Sequence, residues 1–473
     1  MPAPILFILI PFLVAPLVYL AQAVRGLAIT LAVLAAVVLA WLALALPFGQ
    51  PVDMLGGAVF ADNALILGRA FLIGPADRLA LAFLFGQAAV IFLVSIIADP
   101  GRTFFPASLG CLGLLSAALF VRPFLFAAIF LELAAALAVL MLAAESPGTT
   151  LSPKGTRGAL RYLVYTTLAL PFILFTGWLL EASAASPADP TFTRQATLAL
   201  MFGFAVLLAV VPFHSWVPAI AEHAPPLSAV FVYTVIRQAV LFLLLSFLNN
   251  FEWLSQNPAV YRALTLAGGG MVLFGAVFVF GQRNFGRMVG YIVLIDFGAV
   301  MLGLGLGTLA GVESALITTV LRGIALPFWA AGVVRLRQAA GSDQFDALRG
   351  YGRREPAAAA IVTLSLLSLV GFPLTAGFTG RWALLSLLAQ IHPSGAILLL
   401  IAMVSVAYVC ARGLAYLLSR QGPPIESQPI PSGRLDAALF TLGFTAILAL
   451  GLFPQWLLPA FAQTAAAFSH LPR

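Results

Sequence analysis

Fourteen apolar segments with short polar connections can be drawn along the chain: 4–21, 26–47, 79–98, 104–121, 123–143, 159–180, 195–213, 224–248, 259–281, 288–307, 313–334, 357–391, 394–419 and 434–458. A helix of about 20 apolar residues spans the hydrocarbon core of a bilayer. Most of these segments are apolar on every side, the pattern of helices surrounded by lipid and by other helices. The pattern predicts an all-α, polytopic membrane protein of about 14 transmembrane helices, with residues 1–473 forming a single transmembrane domain. The longest connection, Phe48 to Arg78, carries Pro51 and two short apolar runs, and predicts a small hairpin. The N-terminal stretch MPAPILFILIPFLV has no basic leader and reads as a first helix rather than a cleaved signal.

Two segments break the pattern. In the first, an apolar helix meets Pro212, His214, Trp216 and Pro218, followed by Glu222, His223, Pro225 and Pro226, and a new helix begins near Leu227. In the second, GFPLTAGFTGRW (Gly371 to Trp382, with Pro373 near its start) interrupts the segment 357–391. Lipid tolerates freed backbone groups only where they are buried in protein or line a water-filled cavity. Broken helices therefore mark the site of a transporter. The two breaks lie five spans apart, in spans seven and twelve, which predicts an inverted repeat of spans 4–8 against spans 9–13.

Composition changes this picture little. The chain is 62% hydrophobic and 9% charged, whereas about a quarter of an ordinary soluble domain is charged. No sizeable soluble domain fits. The net charge of +7 implies no nucleic-acid partner, because the basic residues are scattered through short loops. Lys154 is the only lysine among 24 basic residues. Fourteen basic residues fall beside odd-to-even connections and six, Arg473 among them, on the other side; Arg237, Arg322, Arg381 and Arg412 lie deeper in spans. The positive-inside rule then places both termini outside the cytoplasm of a multi-pass protein of the cell (inner) membrane. Cys111 and Cys410 lie in apolar segments and read as small buried hydrophobes. There is no cysteine cluster and no glycine-rich dinucleotide fingerprint, so no cofactor, metal or catalytic residue is expected in this chain.

The stretch PFHSWVPAIAEHAPPLSA resembles the signature of the antiporter-like membrane subunits of NADH:quinone oxidoreductase (complex I), membrane-bound hydrogenases and Mrp-type cation/proton antiporters. Pro212, His214, Trp216, Pro218, Ala224, Pro225, Ser228 and Ala229 match in order. LSLVGFPLTAGFTGRW resembles a second motif of that family, with Arg381 in the place of its lysine. The matching segments cover about residues 60–390. The resemblance implies proton translocation within a larger complex, with other membrane subunits, the lipid bilayer and protons as partners.

Charges inside the membrane carry the functional reading, because a charge at mid-bilayer costs about 2.5–3.5 kcal/mol on insertion scales. Glu132 sits at the centre of its span and matches the family's membrane glutamate, whose implied partner is a lysine seven residues before the motif histidine; here that position is Leu207. Arg237 and Arg322 stand where the resemblance implies lysines. Buried lysine can shift its pKa and release a proton; arginine keeps its charge. Asp296 is a second buried acid, and His214 and His223 flank the first break with near-neutral titration. The expected proton pathway is Glu132, Asp296, His214 and His223, with Arg237, Arg322 and Arg381 as fixed charges. The alternatives are a non-pumping structural subunit of a membrane arm, favoured by Leu207 and the lysine-to-arginine pattern, and an independent cation/proton antiporter.

Overall fold

A computed structural model describes residues 2–46, 51–52, 58–66, 68–144, 153–186, 189–420 and 433–468. Arg473, the side chain of Lys154 and part of the 48–78 connection lie outside these residues. The helices are α1 (Ala3–Ala21), α2 (Arg25–Ala45), α3 (Pro75–Val94), α4 (Phe104–Phe120), α5 (Ala127–Leu142), α6 (Pro153–Ala185), α7 (Pro190–Leu207), α8 (Trp216–His223), α9 (Pro226–Phe231), α10 (Arg237–Asn250), α11 (Glu252–Ser255), α12 (Pro258–Phe280), α13 (Phe285–Gly305), α14 (Leu309–Ala340), α15 (Pro356–Val370), α16 (Gly377–Ile391), α17 (Pro393–Leu418), α18 (Arg434–Leu452) and α19 (Leu458–Ala466). Helices α9 and α10 are one rod, joined by a π-helical turn over Val232–Ile236.

Among the described residues, eleven helices are long and apolar enough to cross a bilayer. The expected spans 104–121, 195–213 and 357–391 fall instead on shorter or interrupted pieces: α4, the α7/α8 pair and the α15/α16 pair. Each interruption coincides with one of the two motif stretches.

The fold is not purely helical. Strands β1 (Pro51–Val52), β2 (Ala58–Val59), β3 (Asn63–Ile66), β4 (Arg69–Leu72) and β5 (Val121–Arg122) form two small sheets. The expected hairpin is β3–β4, with Asn63 opposite Leu72 and Ile66 opposite Arg69. It gains a third strand, β5, from the α4–α5 connection, which has no strand pattern of its own. The N-terminus joins this layer, because Ala3 N donates to the Ala61 carbonyl at 2.8 Å.

Burial sorts the helices into a centre and a lipid-facing rim. Pro226–Asn250 and α13 bury the whole of their apolar stretch, whereas α6 and α18 bury 22% of theirs. α14 lies between them at 89% buried and packs against α3, α9, α13, α15, α16 and α19. The sequence FGRMVGYIVLIDFGAVMLGLG explains why α13 can sit there, since beyond Arg287 in its first turn it is apolar on all faces apart from Asp296. The central helices thus carry Arg237, Asp296 and Arg322.

Candidate functional site

At the first break, α7 ends at Leu207, five residues before Pro212. Ala209 takes a left-handed φ of 53°, a conformation that costs a residue with a side chain roughly 1–2 kcal/mol. The last carbonyls of a helix have no intrahelical donor and carry its negative dipole end. Arg237 supplies both needs. Its Nη1 donates to the Leu207 carbonyl at 2.7 Å and its Nη2 to the Leu208 carbonyl at 2.5 Å. Charge-assisted bonds of this kind stabilise by roughly 1.5–3 kcal/mol each. The π-helical turn inserts one extra residue per turn directly before Arg237 and sets its direction.

The motif residues then build the wall. Trp216 is fully buried between Tyr162 (ring centroids 4.9 Å apart) and Tyr233 (6.3 Å). Tyr233 donates from its hydroxyl to the Val217 carbonyl at 2.6 Å. Pro218 packs against α13 at Gly290. Pro225 caps α9 and Pro226 opens it, where the missing N–H costs nothing. His214 is half-buried and meets the Phe274 ring edge-on, with centroids 4.3 Å apart. His223 lies 3.7 Å from Glu222, which is 3.6 Å from Arg287.

At the second break, α15 ends at Gly371 with φ 83° and Leu374 follows with φ 70°. Pro373 lies in this turn, and Ser368 Oγ accepts from Gly377 N at 3.0 Å as α16 begins. Gly371 is required twice over: its φ is left-handed, and a Cβ would lie 2.5 Å from Arg381 Cγ. Arg381 reaches past it to form an ion pair with Asp296, both side chains almost fully buried. Breaking such a pair by removing one partner costs about 3–5 kcal/mol, because the other charge is left uncompensated.

The two breaks reach consecutive residues of α13, the second through Asp296 and the first through Phe297. The Arg237 guanidinium lies 3.6 Å from the Phe297 ring centroid and that of Arg322 lies 4.7 Å from it. Desolvated cation–π contacts of this type contribute about 2 kcal/mol. Neither arginine has a carboxylate partner among the described residues, and Nε and Nη1 of Arg322 make no hydrogen bond. Gln238, next to Arg237, is fully buried with both amide atoms unpaired. These groups are donors and acceptors for ordered water.

Glu132 is half-buried rather than central: Thr167 Oγ1 donates to Oε1 at 2.5 Å, and Oε2 is enclosed without a hydrogen-bond partner. Buried Tyr162 lies within electrostatic reach of both Glu132 and Arg237. Arg412 is also half-buried and donates to the Gln282 carbonyl.

The structure thus joins Asp296 to Arg381, and Arg237 and Arg322 to Phe297, but leaves His214 and His223 in a separate cavity. Sequence reasoning missed Phe297, Tyr162 and Gln238. The signal for Phe297 was its place beside a buried acid. Among the described residues no three His, Cys, Asp or Glu side chains gather as metal ligands. Cys111 and Cys410 are buried and free.

Residues 189–407 match the family described as NADH:quinone oxidoreductase/Mrp antiporter, TM. NADH-quinone oxidoreductase subunit N of Halorhodospira halophila is 27% identical over 66% of this chain and 68% of its own length. A chain of the membrane-bound sulfane sulfur reductase, an archaeal respiratory membrane complex, superposes with a TM-score of 0.82 at 19% identity, covering 99% of both chains. A chain of respiratory complex I from Thermus thermophilus gives 0.78 at 21% identity, covering 99% of this chain and 100% of that one.

Proposed function

We propose that this chain is one of the antiporter-like membrane subunits of the NADH:quinone oxidoreductase/Mrp antiporter family and translocates protons as one subunit of a larger NADH:quinone oxidoreductase-like or hydrogenase-like complex. The observation that carries this reading is the buried ion pair of Asp296 and Arg381 at the second break. A carboxylate held by a fixed guanidinium can take a proton, lose its attraction to Arg381 and release the proton again. Arg381 keeps its charge throughout, so the cycling group is the acid. Protonated Asp296 leaves Arg381 an unpaired buried cation, which gives the loaded state a structural consequence.

Arg237 and Arg322 act as fixed cations that keep the centre polar. Glu132 offers a second, half-buried proton site, at a face where a neighbouring membrane subunit would pack. Redox chemistry belongs to partner subunits. The orientation that fits the arginine distribution has both termini on the non-cytoplasmic side of the inner membrane.

The test is proton pumping by the reconstituted complex, normalised to electron transfer. Asp296→Asn removes the proton site and is expected to lower the ratio by at least about tenfold. Glu132→Gln, which keeps the Thr167 hydrogen bond, is expected to lower the ratio with no loss of assembly. An unchanged ratio in both variants rejects proton conduction through this chain. The second reading, a structural subunit that completes a membrane arm, is favoured by one observation: the two terminal guanidinium nitrogens of Arg237 are committed to backbone carbonyls. In that case neither variant alters pumping.

A further inference from the structure

Between α6, α8, α12 and α13 the protein holds a cavity of about 340 Å³ on its arginine-rich side. Its walls carry Arg157 and Arg161 from α6, Arg287 and Tyr291 from α13, and Glu222 and His223 from α8. We infer that this cavity binds the phosphodiester headgroup of an anionic phospholipid from the adjacent leaflet. The inference uses neither Asp296 nor Arg381, on which the proton reading rests, although the cavity is also lined by His214 and His223 of the expected pathway.

Charge is the first ground. Three guanidiniums face one carboxylate, and that carboxylate is already shared between Arg287 at 3.6 Å and His223 at 3.7 Å. Arg157 and Arg161 make no ion pair or hydrogen bond with any described residue. They stand one turn apart on the same face of α6, the spacing at which two side chains converge on one ligand. Guanidinium forks match phosphate oxygens two at a time.

Position is the second ground. α6 belongs to the lipid-facing rim, so a headgroup can enter sideways from the bilayer. The cavity lies at the basic end of the spans, and basic pockets between helices at that level take lipid headgroups. The cavity is also rigid. α6 docks on α8 so closely that a Cβ at Gly155 would lie 3.2 Å from the His223 carbonyl and one at Gly158 would lie 3.4 Å from the Ala219 carbonyl. The α6 arginines are therefore held against the α8 and α13 groups before any ligand arrives.

The test uses the purified, delipidated full chain in detergent, with thermal stability and native mass spectrometry as readouts. Phosphatidylglycerol, phosphatidylcholine and inorganic phosphate are added separately. Phosphatidylglycerol alone is expected to raise the melting temperature and to remain bound in the gas phase. In Arg157→Gln/Arg161→Gln its apparent affinity is expected to fall by about tenfold or more. Glu222→Gln removes the competing carboxylate and is expected to bind phosphatidylglycerol more tightly; it serves if the double variant does not fold. Equal binding of phosphatidylglycerol by wild type and both variants overturns the inference. Equal stabilisation by phosphatidylcholine or by inorganic phosphate overturns it too, because either removes the anionic lipid as the ligand.

Discussion

Arg237 and Leu207, thirty residues apart in sequence, meet where α7 stops: the guanidinium Nη1 donates to the Leu207 carbonyl at 2.7 Å. The family resemblance implies a lysine at position 207. The structure puts the charge of Arg237 against the backbone of that same residue. Arg237→Lys is expected to cost about 1–2 kcal/mol, because one ammonium cannot reproduce the forked contact to two carbonyls. Faster amide exchange over Leu208–Ser215, with little change at α16, would report the loosened break.

Asp296 and Arg381 are best examined as a pair. Asp296→Asn alone leaves a buried cation and is expected to destabilise by about 3–5 kcal/mol, as is Arg381→Gln for the opposite reason. The double variant removes both charges and is expected to recover much of that loss. Thermal unfolding of all four proteins in detergent gives the coupling between them. Additive single losses would mean the two side chains do not interact.

Much of this architecture is legible in the sequence because hydrophobic runs report lipid contact without any tertiary information. Pro212 and Pro373 fall at the two interruptions because proline removes a helical donor, but proline alone does not mark a break, since Pro11, Pro16, Pro171 and Pro327 lie inside continuous helices. What the runs cannot report is direction. Spans that are apolar all round give no clue to which face is inward, so Glu132 reads as interior and lies half-buried. The end of α7 has a local signal in Pro212, whose missing N–H leaves the Leu208 carbonyl free, but the side chain that takes up that carbonyl comes 29 residues later. Asp296 and Arg381 each stand out as membrane charges, but their pairing rests on how α13 and α16 pack. The third strand, Val121–Arg122, exists only because the β3–β4 hairpin lies beside it.

Gly371 is the most constrained position of the second break. Gly371→Ala meets a left-handed φ of 83° and pushes against Arg381 Cγ. The backbone cost alone is about 1–2 kcal/mol, and the displaced Arg381 should lose alignment with Asp296. Pumping by the reconstituted complex is expected to drop although no titratable group has been changed.

Orientation has a direct check. The β3–β4 hairpin shares its side with the N-terminus, and the 341–355 connection lies beyond the basic end of α14. With the basic side cytoplasmic, an impermeant thiol reagent on whole cells is expected to label Leu65→Cys and to spare Gln344→Cys. The reverse labelling pattern would invert the topology.

Asp296 and Phe297 are consecutive on α13, so their side chains leave the helix about 100° apart. Under the proposed proton reading the helix would act like a camshaft: a small turn lifting Asp296 off Arg381 would carry the Phe297 ring across Arg237 and Arg322, so that proton occupancy at one broken helix would be felt at the other as torque. Phe297→Leu would blunt the cam while sparing the ion pair, and spin labels placed at the two breaks should then move independently. A correlation that survives this substitution would assign the linkage to some other part of the rod.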